Sequence, residues 1–225
     1  MFKKNLLILM MFCVFLSGCG GVLSSGEKTI PAEFDLVSNV EKKVAVLVTS
    51  PAWLSRMGNL KYYMTAAVNY QLMGQLKLTG EQIVSYNDII KYTTVEPGKR
   101  ELRATEVALK AGADMVVVVE ITTGSLVGLG SEGLYRCSVE SEAMVYETAS
   151  GLKLWPEGES SRTIKVGYEA VVGKERALKQ VSFATSYCIV RCFHECSKQK
   201  FKISGERKDL ELDETTNFNK GGVTW

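Results

Sequence analysis

Histidine is almost missing from this sequence: His194 is the only one in 225 residues. There is also no G-x-S-x-G, no H-E-x-x-H, no P-loop and no C-x-x-C. The spacings that mark serine hydrolases, zinc peptidases, nucleotide hydrolases and thiol oxidoreductases are therefore absent. Long apolar runs are lacking as well. The longest, residues 6–16, falls short of the roughly 20 residues a membrane-spanning helix needs. Charge of one sign is not in excess, with 27 Lys and Arg against 25 Asp and Glu. With 46% hydrophobic and 23% charged residues, the chain is neither wholly disordered, nor collagen-like, nor a polytopic membrane protein. Its length suits one domain.

The first residues carry a targeting signal rather than a fold. Lys3 and Lys4 precede the apolar stretch 6–16, which ends in Leu16-Ser17-Gly18-Cys19. A basic start, a short apolar core and small residues at a cut site predict a secretory signal peptide over residues 1–18. The last four of these residues resemble the lipobox of bacterial lipoproteins. The resemblance implies a diacylglyceryl thioether on Cys19, with palmitate-type acylation of its amino group. Several buried acyl chains make a stable anchor, at about 0.8 kcal/mol per methylene. Cys13 has no small residue before it and is a poor rival. Gly20 stands where an Asp would imply inner-membrane retention, so the resemblance implies the periplasmic face of the outer membrane.

Cleavage removes Lys3 and Lys4 and no acid, leaving the mature chain formally neutral. A nucleic-acid module needs a basic surplus on one face, so no nucleic-acid partner is expected. Residues 19–40 read as the lipidated Cys and a flexible tether, since Gly20, Gly21, Ser24, Ser25, Gly26 and Pro31 punctuate its start. Residues 41–200 read as a single α/β domain, and 201–225 as a polar C-terminal tail.

Within the domain, Val44, Ala45, Val46, Leu47 and Val48 form a continuous apolar run, predicting a strand buried on both faces. Leu60, Met64, Val68, Leu72 and Leu76 recur every four residues and predict a helix. A short strand is expected over 83–86, with a helix start at Asn87 and Asp88. A second helix is expected over 102–111, ended by Gly112. The strongest strand is expected over 115–121. Residues 134–148 alternate, with Tyr135, Cys137, Val139, Ala143 and Val145 on one side and Arg136, Ser138, Glu140 and Glu142 on the other. That is a half-solvated strand. Gly151 turns the chain back through 152–155, a further strand is expected over 163–172, and a closing helix over 174–198. The expected architecture is α/β: a two-layer sandwich with a mixed sheet, a βαβα start, an antiparallel meander and a closing C-terminal helix.

Four features imitate chemistry. Gly128, Gly130 and Gly133 spell G-x-G-x-x-G, but a dinucleotide site needs a helix after them and here a strand follows, so they read as a hairpin loop. Cys188, Cys192 and Cys196 recur at helical spacing. Cys188 and Cys196 would lie about 12 Å apart along a helix, too far for one zinc ion. They read as packing residues, the alternative being a disulfide from Cys137 to Cys188 or Cys192 in an oxidising compartment. His194 would lie away from the cysteine row. Glu140 and Glu142 share a strand face and read as solvated. No catalytic residue, metal ligand or cofactor-binding residue is expected.

Residues 42–198 resemble the sandwich of the fold group that includes the curli-secretion lipoprotein CsgG, the penicillin-binding-protein activator LpoB and the TolB amino-terminal domain. The resemblance rests on the opening strand 43–48, on 111–118 (Ala-Gly-Ala-Asp-Met-Val-Val-Val) and on the hairpin 145–155. It implies a small, non-catalytic envelope lipoprotein whose domain binds another envelope protein or a cell-wall component, or a second copy of itself. The alternative is a subunit of an outer-membrane secretion or transport assembly.

Overall fold

Val44 to Val48 have covered side chains on both faces of the sheet, and two separate apolar cores explain why. The computed structural model describes residues 29–36, 42–93, 100–130 and 133–197. In chain order these form β1 (Thr29–Ile30), β2 (Val44–Thr49), a 3-10 turn (Ala52–Met57), α1 (Leu60–Leu76), α2 (Tyr86–Thr93), α3 (Ala104–Lys110), β3 (Met115–Leu129), β4 (Leu134–Glu147), β5 (Lys153–Trp155), β6 (Arg162–Val172), α4 (Lys174–Val190), a 3-10 turn (Arg191–Phe193) and β7 (Cys196–Ser197).

β2 and β3 run parallel, with Val46 opposite Val117. β3 and β4 form a long antiparallel hairpin, and β4 pairs on its other side with β5 and β6. The architecture is the expected two-layer sandwich, a mixed sheet with a closing C-terminal helix. On one face, Met64, Val68 and Leu72 of α1 and Val181, Ala184 and Ile189 of α4 bury the odd-numbered residues of β3 and the alternating apolar side of β4. On the other face, Ile89 of α2 and Val107 and Ala108 of α3 cover Ala45, Leu47, Val116 and Val118. Among the described residues no helix is long and apolar enough to cross a membrane.

β3 outruns its expected end by eight residues, and a bulge at Thr122 is the reason. Ile121 faces Ser141 and Thr123 faces Glu140, so Thr122 has no partner of its own. Its hydroxyl donates instead to the Glu140 carbonyl at 3.2 Å. The extra residue switches the inward side from odd to even positions. Gly124 then faces the 3-10 turn so closely that a Cβ there would lie 2.7 Å from Met57 Sδ and 3.0 Å from Leu54 Cδ2.

Three boundaries differ from expectation. The strand expected over 83–86 is only a bridge between Val44 and Ile83. The Ser85 hydroxyl accepts from the Asp88 amide at 3.2 Å and starts α2 at Tyr86. The closing helix ends at Val190 rather than 198, because the Cys192 carbonyl is taken by the Glu33 and Phe34 amides at 2.8 and 3.2 Å. The third correction concerns the tether. Its described part, 29–36, is docked: β1 pairs with β7, Leu36 is buried, and Phe34 packs edge-on against Phe193. The expected signal peptide, Cys19 and the expected polar tail 201–225 lie outside the described residues.

Candidate functional site

The carboxyl end of β2 opens into a groove of about 380 Å³. Thr49 and Ser50 leave β2 here, α1 contributes Lys61 and Thr65, and α2 contributes Tyr86 and Tyr92. The opening arises because α1 covers one face of β2 while α2 and α3 cover the other.

A ledge of tyrosines flanks this groove. Tyr62 is half exposed and meets Tyr86 edge-on at 5.4 Å between ring centroids, and Tyr63 at 5.8 Å. The Tyr63 hydroxyl donates to Glu175 Oε1 at 3.0 Å, and Glu175 pairs with Lys179 at 2.9 Å. Lys179 sits 5.4 Å from the Tyr63 ring centre. Hydrogen bonds from Lys179 and then Tyr63 hold the Glu175 carboxyl below its usual range. Burial, followed by the field of Tyr62, raises the Tyr86 hydroxyl. Further along α1, Tyr70 meets Phe183 at a tilt with ring centroids 5.9 Å apart, and Met73 is exposed beyond it. Rigid rings with polar tips, held in place by neighbours, suit recognition of another surface.

Two carboxylates near the groove are engaged in local structure. Asp88 accepts from Ser85 and Lys91, each at 2.6 Å, and Lys91 followed by Ser85 lowers its carboxyl. Glu106 accepts two hydrogen bonds from Arg100, at 2.9 and 2.5 Å, and one from the Arg103 amide at 2.8 Å. Those bonds start α3 and draw the Glu106 carboxyl down to about 2.

The residues singled out in the sequence do not come together as a reactive centre. Gly130 and Gly133 take positive φ between β3 and β4, in a strand-to-strand hairpin rather than at a helix start. The four described cysteines are unbridged and buried: Cys137 inside β4, Cys188 in α4, Cys192 in the 3-10 turn, Cys196 in β7. Only Cys188 remains on the helix. Burial pushes the Cys137, Cys188 and Cys192 thiols up to about 12, far from the thiolate that a nucleophile or metal ligand needs. Among the described residues no His, Cys, Asp and Glu side chains cluster as a metal site. His194 lies past the helix, its Nδ1 2.8 Å from the Glu195 carbonyl. Glu140 pairs with Lys165 at 3.0 Å and Glu142 accepts from Ser161 at 2.8 Å, both across to the β6 side.

The tyrosine ledge was not visible in the sequence. Tyr62 and Tyr86 meet only through folding, and their one local signal is that Tyr62 and Tyr70 fall off the apolar stripe of α1.

No protein-family model and no curated protein matches the sequence. Solved structures resemble it at low identity. A single-substitution variant of the PelC dodecamer from Paraburkholderia phytofirmans is 14% identical, covering 74% of this chain and 97% of that one, with a TM-score of 0.41. Lipoprotein GNA1162 from Neisseria meningitidis is 15% identical, covering 66% and 98%, with a TM-score of 0.39. A hypothetical protein from Chlamydia trachomatis is 11% identical, covering 65% and 96%, with a TM-score of 0.32.

Proposed function

We propose that this chain is an exported envelope lipoprotein that performs no chemistry of its own and binds another envelope component through its α/β domain. The observation that carries the reading is the tyrosine ledge of Tyr62, Tyr63 and Tyr86 beside the open groove at the end of β2. The surface offers rings, hydroxyls and shape, while Asp88 and Glu106 nearby are committed to helix starts and ion pairs. The lipobox-like Leu16-Ser17-Gly18-Cys19 supports anchoring through Cys19, and Gly20 supports the periplasmic face of the outer membrane. The strand 43–48, the segment 111–118 and the hairpin 145–155 support membership of the CsgG, LpoB and TolB amino-terminal fold group.

Two measurements test this. Cys19→Ala abolishes lipid labelling and leaves the precursor unprocessed; equal labelling of the variant refutes the anchor. Crosslinking in intact cells gives a discrete adduct that Tyr62→Asp removes without changing the melting curve. An adduct pattern unchanged by Tyr62→Asp removes the ledge from the interface. An adduct of twice the chain's mass identifies a second copy as the partner, and a regular ladder identifies a larger assembly.

A further inference from the structure

Among the described residues, β6 pairs with β4 on one side and with no strand on the other. It is 11 residues long and contains no proline, so its outer edge presents a row of backbone N–H and C=O groups. Two devices that blunt sheet edges are present. One is Lys165, and the other is a bulge where Glu169 and Ala170 together oppose Arg136. A lone lysine at the middle of an edge repels a copy of the same strand. Lys165 is not alone.

The charges of β6 match their own reverse. On the face away from α4, Lys165 pairs with Glu140 of β4 at 3.0 Å, and Glu169 pairs with Arg136 at 2.8 Å. Gly167 stands between them on the same face. Reversing the strand about Gly167 sets Lys165 opposite Glu169, and Glu169 opposite Lys165. Signs then alternate across four strands, as Glu140, Lys165, the partner's Glu169 and the partner's Arg136. Sliding one strand by two residues leaves both charges unopposed. Sliding it by four sets Lys165 against Lys165 or Glu169 against Glu169, so charge selects the register centred on Gly167.

We propose that the edge of β6 binds a second copy of this chain, the two strands pairing antiparallel about Gly167 into one continuous sheet. The two-fold axis stands perpendicular to the sheet, which keeps the helix layers of both copies on one side. On that side Val166 lies opposite the partner's Tyr168. A glycine in the middle of a strand suits close approach of another backbone. Regular pairing covers Lys165 to Glu169 of each copy, and the bulge at Ala170 ends it. The surface uses none of the tyrosine ledge and stands whether or not Cys19 is acylated.

The test uses the full chain in mild detergent. Directly opposed residues have Cα atoms about 4.5–5.5 Å apart, within reach of a disulfide. Gly167→Cys fits, because a Cβ there would meet nothing closer than 3.5 Å. Oxidised in air with copper phenanthroline, it gives a covalent dimer well above the parent chain's background. Thr163→Cys, on the same face, gives no more than background, because its two copies lie about 26 Å apart along the paired strands. Sedimentation equilibrium supplies a second arm. Lys165→Glu or Glu169→Lys alone sets like charges opposite each other twice per dimer and raises the dissociation constant about tenfold. Lys165→Glu combined with Glu169→Lys returns it to near the parent value. Glu140 and Arg136 are unchanged throughout, so that recovery reports pairing between chains and not within one. Melting curves confirm that each variant is folded. A parent chain that sediments only as a monomer overturns the proposal, as does a Gly167→Cys dimer no stronger than that of Thr163→Cys. A double variant as weak as either single one overturns it too. Self-association that Tyr62→Asp abolishes and the β6 substitutions leave intact belongs to the ledge, and also overturns it.

Discussion

Glu33 and Arg162, 129 positions apart in sequence, form an ion pair with Glu33 Oε2 2.5 Å from Arg162 Nη2. The same carboxylate oxygen accepts from Trp155 Nε1 at 3.2 Å, and Trp155 packs edge-on against Phe193 at 5.1 Å. One side chain from the strap before β2 thus ties together β5, β6 and the turn after α4. The same segment, 29–36, also supplies β1.

Glu33→Ala is expected to destabilise the domain by about 1–2 kcal/mol. The ion pair is about one-third exposed and contributes little by itself. The larger part comes from leaving the Trp155 N–H without an acceptor in the core. Urea unfolding should show a lower midpoint at unchanged slope, and limited proteolysis should cut first within 29–36. A variant with parent stability and parent protease resistance would show that the strap is not held by Glu33.

Val117→Asp places a charge in the middle of β3, where Val117 is fully buried and faces Val46 and Val145 on its two neighbouring strands. The cost is several kcal/mol, a large fraction of a domain's total stability. Thermal unfolding checks it. A normal melting curve would remove β3 from the centre of the sheet.

Glu106 gives a pH signature. Hydrogen bonds from Arg100, then from the Arg103 amide, depress its carboxyl from 4.5 to about 2. A depressed carboxylate stabilises the fold fully above its unfolded value and loses that contribution as pH falls toward the folded one. The cap on α3 should therefore hold at pH 5 and weaken between about pH 4.5 and 2. An NMR titration of the Glu106 side chain reads the midpoint directly. Arg100→Gln should move it back toward 4.5, and a parent midpoint already at 4.5 would mean the Arg100 pair does not persist in solution.

How much of this was legible in the sequence follows from how local each cause is. The strand at 44–48, the four-residue rhythm from Leu60 to Leu76 and the alternation from Tyr135 to Val145 each encode their element within a few residues, and each appears in place. The second half of β3 was hidden because the Thr122 bulge reverses the side that faces inward, so the apolar alternation breaks although the strand continues. The end of α4 was hidden because its terminating partners, the Glu33 and Phe34 amides, lie about 160 residues upstream. The ledge was hidden for the same reason, since nothing near Tyr62 announces Tyr86.

The cysteines give the sharpest remaining test, because their places changed while their burial did not. Cys192 and Cys196 left the expected helix, yet both remain inside, and the Cys192 thiol donates to the Cys188 carbonyl at 3.5 Å. Burial raises the Cys137, Cys188 and Cys192 thiols from 9.0 to about 12. A raised thiol favours the fold below its unfolded value and loses that contribution as pH rises, so stability should fall above about pH 9. At pH 8 the native protein should resist alkylation at all four positions, since all four side chains are buried. Cys192→Ala should cost about 1 kcal/mol, the loss of a small buried group. In the denatured, unreduced protein the four thiols of Cys137, Cys188, Cys192 and Cys196 should all react. Two would mean that a bridge forms in the protein and that the packing of Cys137 against α4 rearranges to make it.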